Sequence, residues 1–161
     1  MNKISLYRLL PTIKEVVDLD KEATFTPMGT SMKPMLLGGR DEIVLVKPVF
    51  PLKKYALPLY VRKSGRIVLH RVVKVNTAEG KTTYTMRGDN TFENEKGIEE
   101  SQITAVVSRF KRKGKWHSTD EKGYLLYCKI WDIIFPVRKG VRFLIKLPVR
   151  TYRKIIRIFK L

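Results

Sequence analysis

The chain has 161 residues, 33 Lys and Arg against 15 Asp and Glu, and a net charge of +18. That size suits one domain, and an apolar fraction of 43% excludes a wholly disordered or collagen-like chain. One cysteine and two histidines exclude a disulfide framework and a Cys- or His-built metal cluster.

Leu6, Leu9, Leu10, Ile13, Val16 and Val17 follow helical spacing, with Ser5 as a cap and Pro11 as an interruption at which the helix restarts. Ala23 to Pro27 reads as extended, and a turn-rich passage then leads to a strand at Glu42 to Lys47, closed by Pro48 and Pro51. Further β segments are expected at Tyr55 to Arg62 (broken by Pro58), Arg66 to Val75, Thr82 to Arg87 and Ile103 to Arg109. The body from about residue 23 to 117 is therefore mostly β. A net charge of +18 suits an anionic partner: a bilayer, an acidic protein or, less favoured, nucleic acid.

The C-terminal quarter differs. Lys122 to Leu161 carries eleven basic residues and one acid, Asp132. Within it, Tyr152, Ile155, Ile156 and Phe159 share one helical face, while Arg153, Lys154, Arg157 and Lys160 populate the other. This is the pattern of a basic amphipathic helix, either packed on the domain with a solvated basic face or lying at an anionic membrane surface, and Trp131 adds an aromatic suited to headgroup depth. The longest apolar stretch, Tyr124 to Val137, contains Lys129 and Asp132 and falls short of the about 20 apolar residues a span needs. The N-terminal segment has charges within its apolar run and no small-residue cleavage site. The expected location is the cytoplasmic side, peripheral on the inner face of the membrane.

Three short segments carry chemistry. In Gly29-Thr30-Ser31-Met32-Lys33-Pro34, the glycine permits a tight turn that exposes the Ser31 hydroxyl and aims a backbone N–H at a developing oxyanion. Met32, Met35 and Leu36 anchor that turn or line a pocket for small apolar side chains. His70 lies in a β-branched run, and strict alternation places it on one strand face with Val68 and Val72. Its ordinary pKa, near 6.5, leaves a neutral ring at pH 7. After the next strand, Gly88-Asp89-Asn90 forms a turn in which Asp89 either orients His70 or holds the local fold; Glu93 and Glu95 are the competing acids.

These three boxes, in this order, resemble the S24/S26 serine peptidases, the superfamily that joins signal peptidase I to the LexA-like repressors. The first box matches at Gly29, Ser31, Met32 and Pro34, the second at His70, Arg71 and Val72, the third at Gly88, Asp89 and Asn90. The resemblance implies a mainly β fold of coiled small β-sheets, with an N-terminal helix and a basic C-terminal helical tail. The peptidase domain would cover residues 1–121 and the tail 122–161. It also implies a serine endopeptidase acting on a peptide or preprotein, with Ser31 as nucleophile and His70 as base. Asp89 is then the favoured acid, Glu93 and Glu95 the alternatives, and Gly29, Thr30, Met32 and Met35 form the oxyanion and substrate-binding set. No metal or organic cofactor is required. Departures are Gly29, where many relatives carry a serine that completes the oxyanion hole, and the lack of an N-terminal membrane anchor. The competing expectation is a peptide- or membrane-binding protein that keeps the fold without turnover; a nucleic-acid-binding protein is less favoured, since the LexA-like relatives carry a separate helix-turn-helix domain and only about 22 residues precede the β body here, so any such contact would use the tail.

Overall fold

The computed structural model describes residues 6–146. Ser5 and the amphipathic segment with Arg153, Lys154, Arg157 and Lys160 lie outside the described residues. The fold is mixed α/β: an N-terminal helix, a central region of sheets, and C-terminal helices bearing several Lys and Arg.

Helix α1 (Leu6–Asp18) runs unbroken through Pro11. Pro11 sits on the exposed side, while Ile13 and Val17 face the core, so packing holds the helix across the missing N–H. Strand β1 (Ala23–Phe25) pairs with β2 (Glu42–Val46), and β2 with the long β8 (Ile103–Arg112), all antiparallel. Strand β3 (Pro58–Val61) pairs with the first half of β8 and β9 (Lys115–Ser118) with its last four residues, while β4 (Ile67–Leu69) closes the sheet against β3. A register shift opposite Val44 and Leu45 moves the buried phase of β8 from Ile103, Ala105 and Val107 to Phe110. A second, three-stranded sheet is built from β5 (Arg71–Ala78), β6 (Lys81–Arg87) and β7 (Glu95–Glu99).

The expected single strand across Arg66 to Val75 is in fact two. The chain leaves the first sheet at Leu69 and enters the second at Arg71, so His70 occupies the corner between them. Two apolar cores follow from this split. One packs α1, the Met32–Leu36 turn and α2 (Lys122–Ile133) on the six-stranded sheet through Val17, Leu36, Ile43, Leu59, Tyr124 and Cys128. The other joins the two sheets through Tyr60, Val72, Tyr84, Met86, Ile98 and Ile103. Burying one such side chain contributes roughly 1.5–3 kcal/mol, so each core is a substantial clamp.

Helix α3 (Phe135–Lys146) follows α2 directly, with Ile134 between them at φ −80° and ψ −5° and backbone hydrogen bonds carried across the junction. Helix α2 is fastened at both ends. Tyr124 and Cys128 are buried, and Asp132 binds Lys54 (2.9 Å) and Arg87 (2.6 Å). Among the described residues, no helix is long and apolar enough to cross a membrane.

Candidate active site

Ser31 sits in the loop between β1 and β2. Gly29 has φ +102°, a left-handed value that suits glycine, and the loop is pegged by buried Met32, Met35 and Leu36. Backbone bonds Lys33 N–H to Thr30 O (3.2 Å) and Leu36 N–H to Met32 O (2.9 Å) close the turn. A second turn, Gly88 to Thr91, locks onto it from the other sheet. Asn90 N–H donates to Ser31 O at 2.7 Å, and Asn90 Nδ2 donates to Thr30 O at 3.3 Å.

Gly88 is wedged between the Ser31 loop and the His70 ring. A Cβ there would stand 2.7 Å from Ser31 O and 2.8 Å from His70 Nε2. Glycine is required here for space rather than for an unusual φ, and its bare face presents the His70 ring and the Ser31 backbone to one another.

His70 is 4% exposed. Its Nδ1 lies 2.9 Å from Glu95 Oε1 and 3.4 Å from the Tyr60 hydroxyl. Glu95 also accepts from Tyr60 Oη (2.9 Å) and from Arg62 Nε (2.7 Å), with a second Arg62 bond to its other oxygen. Burial works against the Glu95 carboxylate, but the Arg62 and Tyr60 hydrogen bonds outweigh it and hold its pKa below the usual range. Burial also favours the neutral imidazole, and this outweighs the attraction of Glu95, so the His70 pKa lies below its ordinary value. An ionised Glu95 can only accept. Nδ1 therefore carries the proton, and the lone pair of the neutral ring is on Nε2, the atom against Gly88.

Ser31 and His70 line one cavity of about 430 Å³, with Gly29, Thr30 and Met32 on its wall and Pro27, Met28, Leu59 and Val68 around it. Among the described residues the Ser31 hydroxyl has no hydrogen-bond partner, His70 included, and the Ser31 N–H is also unengaged.

Asp89 does not reach His70. It is 3% exposed and holds the Arg71 guanidinium with both oxygens (2.9 and 2.7 Å), while Tyr127 Oη donates to it at 3.0 Å. Arg71 also donates to Tyr124 Oη (2.6 Å), Cys128 Sγ (2.7 Å) and Met35 Sδ (3.0 Å). Asp89 is thus the counter-ion of a buried arginine that ties α2 to the second sheet. Glu93 is exposed and takes no part. Met35, expected on the substrate wall, faces this arginine and a separate cavity of about 210 Å³ beside Phe110 and His117. Burial pushes the Cys128 thiol up to about 11, so it stays protonated.

Trp131, expected at a lipid headgroup region, is folded onto the body. Its Nε1 donates to Asp89 O at 2.8 Å, its ring stacks on Tyr127, and the Arg138 guanidinium lies 3.8 Å above it. Arg138 donates to the same carbonyl at 2.8 Å. Tyr60 on β3 and Arg62, one residue past its end, are absent from the expected set; both bind Glu95, which the sequence offered only as an alternative acid. Among the described residues no three His, Cys, Asp or Glu side chains come together to hold a metal ion. Compared with protein-family models and with curated proteins, the chain matches none.

Proposed function

We propose that this protein is a serine endopeptidase of the signal peptidase and LexA-like type, with Ser31 as nucleophile, His70 as general base and Glu95 as the carboxylate that orients the base. The observation that carries this reading is the corner at His70. It sets a neutral imidazole, Nδ1 held by Glu95 and Nε2 free, on the same cavity wall as a serine whose hydroxyl and N–H are both unengaged.

In this mechanism His70 Nε2 takes the hydroxyl proton as Ser31 Oγ attacks a peptide carbonyl. The Ser31 N–H, with the Gly29–Thr30 backbone beside it, receives the developing oxyanion. His70 then returns the proton to the departing amine, and a water molecule activated by the same nitrogen releases the acyl group. Catalytic hydrogen bonds commonly tighten only when substrate is bound, which accommodates the open Ser31–His70 geometry. The substrate class is a peptide or preprotein segment in extended form, and the site faces the cytoplasmic side of a membrane.

The lack of a direct Ser31–His70 hydrogen bond supports a second reading, a peptide-binding protein without turnover. Cleavage of a panel of preprotein and extended peptides by wild type, Ser31→Ala and His70→Ala separates the two. Turnover lost in both variants is the expected result. Peptide binding with wild-type turnover no higher than that of Ser31→Ala sinks the peptidase reading.

A further inference from the structure

The face of α2 and α3 that points away from the body is apolar. Leu126, Ile130, Ile133, Val137, Val141 and Leu144 recur at three- and four-residue spacing and are all exposed, Ile133 at 74% and Val137 at 67%. The stripe is continuous across the junction, since Ile134 N–H bonds to Ile130 O and Arg138 N–H to Ile134 O, both at 3.0 Å. The opposite face of the same helices is already used: Tyr124, Cys128, Trp131 and Arg138 hold the body. Among the described residues nothing covers the stripe.

The charge around the stripe is of one sign. Lys122, Lys129 and Lys139 are exposed and have no acidic partner among the described residues. Asp132, the one acid in α2 and α3, is neutralised by Lys54 and Arg87. Two such faces repel one another, so a second copy of the chain fits poorly. An anionic bilayer meets both requirements: acyl chains mould to a convex apolar stripe, and headgroups take the lysines.

We propose that α2 and α3 together dock this protein on an anionic lipid surface, lying in the interface with the Leu126–Leu144 stripe inserted. The docking has a fixed relation to the candidate active site, because Trp131 and Arg138 bind the carbonyl of Asp89, next to the Gly88 that touches His70 and Ser31. The inference does not depend on peptidase activity, since binding is read without substrate and in the Ser31→Ala protein as well.

The test is co-sedimentation of the full chain with phosphatidylcholine vesicles, with and without phosphatidylglycerol. Wild type is expected to bind only the anionic vesicles. Ile133→Ser/Val137→Ser, which leaves every charge in place, is expected to bind about tenfold or more weakly while keeping the wild-type circular dichroism spectrum. Should that variant misfold, Val137→Cys carrying an environment-sensitive fluorophore is expected to shift to the blue on anionic vesicles. Failure of wild type to bind, binding indifferent to the serine variant, or an unshifted fluorophore on bound protein overturns the proposal. So does a concentration-dependent dimer that the serine variant abolishes in the absence of vesicle binding.

Discussion

Glu95 Oε1 stands 2.9 Å from His70 Nδ1, whereas Asp89 spends both carboxylate oxygens on Arg71. The two acids therefore divide the work: one faces the ring that would carry the proton, the other neutralises a buried cation. Glu95→Gln should lower kcat/KM by roughly 10²–10⁴-fold with little loss of fold, since an amide can leave the ring in the wrong tautomer. Peptide cleavage by the purified variant checks this, and an unaffected rate would remove Glu95 from the mechanism.

The pH profile follows from the same contact. The proposed mechanism needs neutral His70, whose pKa is depressed by burial, so the acid limb of kcat/KM should have its midpoint below 6.5. Glu95→Gln removes the anion that supports the protonated ring and should move that midpoint lower still. Stability has the matching sign. As pH falls through about 6.5 the unfolded chain takes up a proton that native His70 refuses, so stability declines down to the native pKa. Urea midpoints compared between about pH 7.5 and 5.5 should show this decline, and it should be smaller in His70→Asn.

Arg71 and Asp89 are each almost fully buried, so removing one strands the other. Arg71→Met should destabilise the fold by about 3–5 kcal/mol, and Asp89→Asn by a smaller but measurable amount, because the guanidinium keeps its Tyr124 partner. Denaturant titrations of the two single variants and the double variant give the coupling. Strict additivity would mean that the pair does not act as a unit.

Gly88→Ala tests the contact between the sheets. Its methyl would fall 2.7 Å from Ser31 O and 2.8 Å from His70 Nε2, too close on both sides, so the ring or the serine loop must move. We expect a stability loss of about 1–3 kcal/mol and a fall in kcat/KM of about 10²-fold or more. Activity close to wild type would show that the Ser31–His70 geometry tolerates being pushed apart.

Much of the β body was legible because β-branched runs are separated by Gly and Pro, and short motifs singled out Ser31 and His70, which the fold then places on one cavity wall. The break at His70 was not. Val68 to Val73 reads as one uninterrupted strand, and only the docking of two sheets decides that the chain turns there. Strand β7 escaped for a different reason: Glu95-Lys-Gly-Ile-Glu has one apolar residue and a glycine at φ +73°, and it is held by pairing to β6 rather than by propensity. That omission hid the geometry of Glu95, whose strand sets it opposite Met86. The role of Asp89 was hidden because its partner Arg71 lies beside His70 in sequence yet faces the other way.

The corner at His70 has one more consequence. The ring's surroundings come from both sheets: Tyr60 lies on the six-stranded one and Glu95 on the three-stranded one, Gly88 directly follows β6, and Ser31 lies in the loop between β1 and β2. Neither half of the molecule alone contains a serine beside an oriented base. In the proposed mechanism, a chain still emerging, or one whose sheets have parted, would hold the serine and the imidazole apart, because the cavity wall they share exists only where the two sheets meet.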